Sequence, residues 1–178
     1  ALLSNKYASF EDLPQGAVIG TTSLRRRMAI KLIRPDIELL DLRGNINTRI
    51  AKLNAGEYDA IILATTGVQK LGIENEVKYF TPISTDLMIP SMGQATLGIE
   101  VTSNEEIKKI VSVLNDKDAH IESTIERSFV DTLQGGCQVP IGVKATILDD
   151  KEIRLQAIVG MPDGTEIIKD DIKVSIED

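Results

Sequence analysis

Residues 17–34 read AVIGTTSLRRRMAIKLIR, and this stretch decides the fold. A short apolar run at 17–20 is followed by three hydroxyl residues suited to a helix N-cap. Apolar residues at helical spacing come next, such as Met28 and Leu32. Pro35 ends the helix because proline lacks the backbone N–H that would continue it. The stretch therefore predicts a strand, a polar turn and a helix, which is the repeating unit of an α/β sheet.

The same unit recurs immediately downstream. The pattern predicts a strand at 37–42 and a helix at 46–55, which Gly56 ends. A third strand is expected at 59–65, where the run DAIILAT is too apolar to leave one face in water. Such strands are typical of a parallel sheet that helices cover on both sides, with right-handed crossovers between the strands.

The flanking segments carry weaker patterns. Residues 1–15 show no clear period and are interpreted as a connecting segment that leads into the domain. A short helical piece is expected at 67–71, and strands are expected at 86–90 and 97–101. The loop PSMGQAT at 90–96 is rich in small residues, which is typical of a crossing between domains.

The period changes in the last third of the chain. A capping box predicts Ser103 as the N-cap of a helix at 105–114, with Glu106 reaching back to it. A second helix is expected at 118–133. Three β-like runs follow, separated by turn residues: 142–148, 153–159 and 165–172. The tail is therefore predicted to be a small α+β domain, a helix plus a three-stranded antiparallel sheet.

Composition excludes several classes of function. The chain has 178 residues and a formal net charge of -7, which argues against nonspecific binding to nucleic acid or to anionic membranes. No apolar run approaches the roughly 20 residues that span a bilayer. One cysteine, Cys137, allows no internal disulfide, and one histidine, His120, gives no metal pattern. A reducing, cytoplasmic setting is therefore expected.

The arginines of this acidic chain cluster where an α/β sheet binds its ligands. Such ligands bind beyond the carboxyl ends of the strands. The arginines that follow the first two predicted strands are Arg25, Arg26, Arg27, Arg43 and Arg49. Neutral donors are expected from Thr21, Thr22, Ser23 and Asn45. We predict a cationic pocket for an anion with several acidic groups. The alternative, a role in surface ion pairs, is expected for Arg27 and Arg34.

The only cysteine lies in a second distinctive stretch, QGGCQVPIG at 134–142. Two glycines before Cys137 and Pro140 after it predict a sharply turning loop on which the thiol can be reached. The competing interpretation is a small buried hydrophobic residue, because free cysteine is among the residues most often buried. The residues alone leave both interpretations open.

Long motifs occur in a fixed order along the chain: GTTSLRRR from Gly20, LRGNINTRI from Leu42, EYDAIILATTGVQKLGI from Glu57 and QGGCQVPIG from Gln134. Together they resemble the porphobilinogen deaminase family, also called hydroxymethylbilane synthase. The resemblance runs over nearly the whole chain. It implies an α/β domain of the periplasmic-binding-protein type followed by a small α+β domain that carries the cysteine.

The resemblance also implies a division of the chain. Residues 1–92 correspond to the second domain of the family, with 1–15 leading into it. Residues 93–116 correspond to a strand and a helix that return to the first domain, and residues 117–178 to the third. The N-terminal domain would then be a partner outside this chain. The full-length protein is expected to be a cytoplasmic monomer.

The resemblance further implies a chemistry. In the family, the cysteine corresponding to Cys137 forms a thioether to a dipyrromethane cofactor, on which four porphobilinogen units are condensed with loss of ammonia. The other residues that correspond to cofactor-binding positions are Thr21, Thr22, Ser23, Arg25, Arg26, Arg43, Gly44 and Asn45. Those that correspond to substrate-binding positions are Arg49, Lys70 and Gln94. The catalytic aspartate of the family lies in the N-terminal domain, so this chain alone is expected to be inactive.

Two positions depart from the family pattern. Lys70 stands where many members have arginine, which keeps the charge and loses the bidentate geometry. Ala95 stands where the family has glycine, which alters the approach of the backbone to a ligand near Gln94. The alternative to an enzyme is a noncatalytic binding module for a small polyanion, in which Cys137 is only structural.

Overall fold

Two β-sheets with their helices make up the chain in the computed structural model, which describes residues 1–134, 139–149 and 152–175. The strands are β1 Leu2–Ser4, β2 Val18–Gly20, β3 Glu38–Leu40, β4 Ala60–Ile62, β5 Tyr79–Thr81, β6 Ile141–Asp149, β7 Glu152–Val159 and β8 Ile168–Ser175. The helices are α1 Leu24–Ile33, α2 Ile46–Asn54, α3 Thr65–Leu71, α4 Glu105–Val111 and α5 Lys117–Thr132, with 3-10 turns at Glu74–Glu76 and Ser112–Leu114. The predicted α/β domain followed by a helix and a three-stranded antiparallel sheet is confirmed.

The first sheet has the strand order β3-β2-β4-β1-β5. As the alternation of strands and helices predicted, β2 pairs in parallel with β3 and with β4. Helices α1 and α2 belong to two separate core clusters. Ile30 of α1 packs in one cluster with Ile19, and Ile50 of α2 packs in the other with Ile61. The inner strands β1, β2 and β4 are thus covered on both faces, which explains why they are short and mostly apolar.

The first strand shows that the interpretation of residues 1–15 as a connecting segment was wrong. Leu2 pairs with Ile62 of β4 and with Thr81 of β5, so β1 lies antiparallel inside the sheet. Leu2 and Leu3 are both buried, one in each core cluster. A three-residue strand that is buried on both faces has no alternation of apolar and polar residues, so its pattern gave no signal.

Two further strands were predicted wrongly, at 86–90 and 97–101. Neither segment forms a ladder with another described strand. Pro90 makes a single backbone contact with the second sheet, where its carbonyl accepts from the Val143 N–H at 2.9 Å. Leu97 is 74% exposed. An extended apolar run becomes a strand only where a neighbour supplies a ladder of hydrogen-bonding partners, and the described strands supply only the single contact at Pro90.

Two boundaries also differ from the prediction. The N-cap of α4 is Asn104 rather than Ser103. The helix begins at Glu105 as predicted, and the residue directly before it caps it, since the Asn104 side chain accepts from two helix amides at 2.8 and 3.2 Å. The third β-like run, expected at 165–172, begins later as β8. A turn occupies its predicted start, closed by the hydrogen bond from Met161 N to Thr165 O at 2.9 Å.

Strand β6 is at the edge of the second sheet, and α5 supplies acceptors for its outer side. Glu126 accepts from Ala145 N at 3.0 Å, and Glu122 accepts from Ile147 N at 2.9 Å. Four residues of a helix rise about 6 Å, and two residues of a strand rise about 6.8 Å. The spacing of the two carboxylates therefore matches the spacing of alternate β6 amides. Less of the β6 edge is left open to pairing with another chain.

Polar contacts also form part of the joint between the two sheets, where α5 and β7 meet the loop at 83–96. Glu126 uses its second oxygen to accept from Gly93 N at 2.7 Å. Burial raises the pKa of this carboxyl group, and the two N–H donors oppose the rise. At the other side of the joint, Arg154 and Gln156 of β7 donate to Asp86 at 3.0 and 2.7 Å. The loop between the sheets is thus held by side chains of the second sheet and its helix.

An apolar contact completes the joint. Met28 of α1, Ile89 of the loop and Ile158 of β7 form one buried cluster. Gly142 of β6 lies against it, and an added Cβ there would be 2.9 Å from the Ile89 carbonyl oxygen and 2.8 Å from the Ile158 side chain. Only a residue without a side chain fits this approach. In the part of the chain that the structure describes, no helix is long and apolar enough to cross a membrane.

The double role of Glu126 predicts a specific loss of stability in Glu126→Gln. A glutamine has one acceptor oxygen, so one of the two backbone N–H groups would face an NH₂ donor. Leaving such a group unsatisfied costs about 1–3 kcal/mol. We expect the urea midpoint at pH 8 to fall accordingly, with the m-value unchanged.

Glu122→Gln is the matched control. The described contact of Glu122 is a single accepted hydrogen bond from Ile147 N, which a glutamine oxygen can also accept. Equal midpoints for the two variants would contradict the double role of Glu126.

Candidate functional site

A cleft of about 310 Å³ lies between the two sheets, where the residues that follow β2 and β4 meet the loop at 83–96, α5 and β6. Arg25, Arg26 and Gln94 line it from the α/β domain and the loop. Lys144 and Glu126 line it from the small domain. The cleft thus lies beyond the carboxyl ends of parallel strands, where α/β sheets bind ligands.

Arg25, in the first turn of α1, is buried beneath this cleft. Its Nη1 donates to the Ile89 carbonyl at 2.7 Å, and its Nη2 donates to the Gln94 side-chain oxygen at 3.3 Å. Burial lowers the pKa of Arg25 to about 10, and the neighbouring charge of Arg26 adds to that effect. The group is still a cation at neutral pH, held in place by neutral oxygens.

Arg26 is the next cation of the cleft. Its Nη1 donates to the Ile62 carbonyl, at the end of β4, at 2.8 Å. Burial lowers its pKa, and the charge of Arg49 lowers it further. Arg49 itself donates from Nε to the Gly44 carbonyl at 2.8 Å. The structure therefore places three positive charges close enough to disfavour one another.

Ion pairing distinguishes these three arginines from Arg27 and Arg34. Among the described residues, Arg25, Arg26 and Arg49 form no ion pair with a carboxylate. By contrast, Arg27 pairs with Asp41 at 2.6 Å and Arg34 pairs with Asp36 at 2.7 Å, as predicted for those two. Buried cations without a counter-charge are costly. In a chain with 27 acidic residues, their presence indicates a site for an external anion.

The hydroxyl and amide residues predicted as donors shape the loops in the structure. The Thr21 hydroxyl accepts from Ser23 N at 3.2 Å, and the Ser23 hydroxyl caps α1 by accepting from Arg26 N at 3.4 Å. Thr22 donates to the Leu42 carbonyl at 3.3 Å. These contacts fix the turn that carries Arg25 and Arg26. Their contribution to ligand binding stays a prediction.

The loop after β3 is shaped in the same way. Asn45 caps α2 by accepting from Thr48 N at 2.9 Å. Gly44 precedes it with φ of 119°, a conformation that favours glycine, and an added Cβ would lie 2.8 Å from the Thr48 side chain. This turn sets the Gly44 carbonyl that holds Arg49.

The structure does not bring every predicted residue to the cleft. The Arg43 side chain is 81% exposed, lies 3.8 Å from Asp41, and lines a different depression together with Thr22 and Arg27. Lys70 is exposed in the last turn of α3 and does not line the cleft. Gln94 does line it. Cys137 lies outside the described residues.

The charged side chains of the cleft that sequence reasoning missed are Glu122, Glu126 and Lys144. The two glutamates are four apart on α5, so both could have been placed on one helical face. Lys144 is the only charged residue in the run IGVKATIL at 141–148, which is an available signal for a functional charge. Among the described residues, no group of three or more His, Cys, Asp or Glu side chains could hold a metal ion.

Comparison with known proteins assigns both parts of the chain. Residues 1–109 match the family described as "Porphobilinogen deaminase, dipyromethane cofactor binding domain", and residues 120–178 match "Porphobilinogen deaminase, C-terminal domain". The porphobilinogen deaminase of Aliarcobacter butzleri is 78% identical over 178 residues, which is 100% of this chain and 57% of that protein. That of Sulfurimonas denitrificans is 55% identical over 170 residues, 96% of this chain and 54% of that protein. That of Campylobacter concisus is 54% identical over 175 residues, which is 98% of this chain and 56% of that protein. The chain thus spans somewhat more than half the length of these relatives.

If the unpaired arginines form an anion site, a small polycarboxylate should stabilise the chain. We expect benzene-1,2,4-tricarboxylate to raise the melting temperature more than benzoate does at the same ionic strength. Ligand binding adds about 1.4 kcal/mol to the free energy of unfolding for each tenfold excess of free ligand over Kd. Arg26→Met should remove this gain while the ligand-free variant still melts cooperatively.

Arg27→Met is the control, because the Arg27 guanidinium is already paired with Asp41. It removes the same charge from the same helix and should keep the full gain. A full gain in Arg26→Met would rule out Arg26 as part of the anion site.

Proposed function

Since this chain belongs to the porphobilinogen deaminase family, we propose that the full-length protein condenses four porphobilinogen units, with loss of ammonia, into the linear tetrapyrrole hydroxymethylbilane. The observation that supports this most is the set of unpaired cations in the cleft. Porphobilinogen and its oligomers carry acetate and propionate groups on every pyrrole ring. An arginine fork matches a carboxylate better than a lysine does.

The residues present fit a dipyrromethane cofactor by the chemistry of their donors. The cofactor is a polycarboxylate, and Arg25 and Arg26 offer guanidinium groups that lack a carboxylate partner among the described residues. We propose that these arginines hold it, together with Thr21, Thr22, Ser23, Arg43, Gly44 and Asn45, and that Cys137 attaches it covalently. When bound, the cofactor supplies the primer to which pyrrole units are added.

The arginines are held ready for such a ligand before it binds. Main-chain carbonyls of Ile89 and Ile62 fix the two guanidinium groups at 2.7 and 2.8 Å, so little side-chain freedom is lost on binding. Their burial strengthens each contact to a carboxylate because water screens it less. A bound anion would also relieve the repulsion among Arg25, Arg26 and Arg49.

For the incoming substrate we propose Arg49, Lys70 and Gln94. The charge of Arg49 acts on Arg26, and Gln94 borders the cleft with its side-chain oxygen engaged by Arg25. The Gln94 NH₂ group has no acceptor among the described residues, and we propose that it donates to the ligand. Lys70 lies farther along α3, and its role rests on family correspondence alone. Of the substrate residues, Gln94 has the most direct structural support.

Exposed apolar residues support the division that we propose for the full-length protein. We place an α/β domain at 1–92, a returning strand and helix at 93–116, and the cysteine-carrying domain at 117–178. Within 93–116, Ile110 is 70% exposed and Val113 is 82% exposed. Contact with an N-terminal domain would bury them. We propose that the full-length protein is a cytoplasmic monomer in which that domain closes the cleft.

The proposed attachment through Cys137 predicts the behaviour of Cys137→Ser in the full-length protein. A serine cannot form the thioether, so the variant should fold and show no mass adduct and no turnover. If Cys137 is instead a buried structural residue of a noncatalytic polyanion module, the mass of the wild-type protein will show no adduct either. A Cys137→Ser variant with wild-type turnover would refute the carrier role.

We further predict that the 178-residue chain alone does not form product. Two carboxylates line its described cleft, and both are engaged by backbone N–H groups: Glu122 by Ile147, and Glu126 by Gly93 and Ala145. We expect the acid or base that contributes on the order of 10² to 10⁴ in rate to come from the N-terminal domain of the full-length protein. The measurement is incubation of the purified chain with porphobilinogen and detection of the linear tetrapyrrole or its porphyrin. Product at a rate close to that of the full-length protein would place catalysis in this half.

A further inference from the structure

Lys144 of β6 occupies an unusual position for a strand lysine. It is half-buried between the two sheets, and its Nζ donates to the Thr85 hydroxyl at 3.0 Å. It lines the same cleft as Arg25 and Arg26. An ammonium group has three donors, and among the described residues Lys144 makes no ion pair with a carboxylate.

The neighbouring carboxylates do not explain why a lysine occupies this position. Glu126 accepts two backbone N–H bonds and Glu122 accepts one, so their oxygens serve the joint between α5, β6 and the loop. The Glu126 and Lys144 charges do influence each other, since Lys144 opposes the rise in the pKa of Glu126. Among the residues that the structure describes, the Lys144 ammonium nevertheless makes its hydrogen bond with the neutral Thr85. Two of its three N–H donors therefore have no partner within the described residues, and the side chain lines the cleft.

We propose that Lys144 binds a carboxylate of the pyrrole ligand, so that the small domain contributes a charge to the site as well as the cysteine. This inference rests on the proposed function. The arginines approach the ligand from α1 and Lys144 approaches it from β6, on the opposite wall. A ligand with carboxylates on more than one side of each ring would engage both walls at once, and simple monocarboxylates would not.

The contact with Thr85 offers a competing explanation, namely that Lys144 only fastens β6 to the loop. The chain provides variants that separate the two. Lys144→Met removes the charge and keeps most of the stem, whereas Thr85→Val removes the hydroxyl contact and keeps the charge. Lys173→Met is the charge control: Lys173 is on the same face of the same sheet, outside the cleft, and pairs with Glu152.

The experiment is calorimetric titration of the purified chain and these variants with porphobilinogen. One charged hydrogen bond corresponds to a loss of affinity on the order of tenfold, and we expect that loss in Lys144→Met. Lys144→Arg should bind nearly as the wild type does. Thr85→Val and Lys173→Met should bind unchanged.

The outcomes distinguish the inference from its premise. Wild-type affinity in Lys144→Met, with binding lost in Arg26→Met, would overturn the role of Lys144 and leave the proposed function standing. An equal loss in Thr85→Val and Lys144→Met would show that the lysine acts only through the joint, which also overturns it. Absence of porphobilinogen binding by the wild-type chain would count against both.

Discussion

The loop at 89–96 is held from two sides by opposite charges, and the cleft depends on this constraint. Arg25 of α1 binds the Ile89 carbonyl and the Gln94 side chain, while Glu126 of α5 binds the Gly93 amide. The Arg25 guanidinium is held by hydrogen-bond acceptors of the loop, and the Glu126 carboxylate is held by a hydrogen-bond donor of the loop. Each charge is therefore stabilised by polar groups without direct contact between the two. If they paired directly, the cleft would be closed by its own residues and Arg25 would be neutralised. Holding them apart keeps the cationic wall open.

That arrangement carries an energetic cost, which indicates what the site is for. Arg25 is disfavoured by burial and by Arg26, and Arg26 is disfavoured by burial and by Arg49. Carbonyl oxygens offset part of this cost, but a neutral dipole compensates a cation less well than a carboxylate does. Proteins retain such strain where function requires it. Outside the cleft, Arg27 and Arg43 both lie within ion-pairing distance of Asp41, whereas Arg25 and Arg26 have no carboxylate partner among the described residues.

The sequence predicted the parts of the fold that repeat and missed those that depend on distant partners. Strand-turn-helix units at β2-α1 and β3-α2 followed from local periodicity and caps. Strand β1 was not predicted because its pairing with β4 and β5 is entirely nonlocal. The segment at 97–101 was the reverse case, since its local pattern favoured a strand and no described neighbour supplies the ladder. In the site, Arg25 and Arg26 were found from their place after a strand. Lys144 was missed because a charge in the middle of a strand shows its role only when the facing wall is known.

We expect the surface charge and the charge of the cleft together to give this chain a selectivity among anions that neither gives alone. The net charge of -7 repels anions at long range, whereas Arg25, Arg26 and Lys144 line the cleft. The two carboxylates that also line it, Glu122 and Glu126, accept hydrogen bonds from backbone N–H groups. At physiological ionic strength screening acts over about 8 Å, so a ligand small enough to enter the cleft experiences mainly the cations. A long polyanion such as a nucleic acid cannot bring its charges inside, and most of them would remain facing the acidic surface. A small polycarboxylate can place all of its charges among the cations. The acidic exterior and the cationic cleft therefore act together to favour compact anions over extended ones.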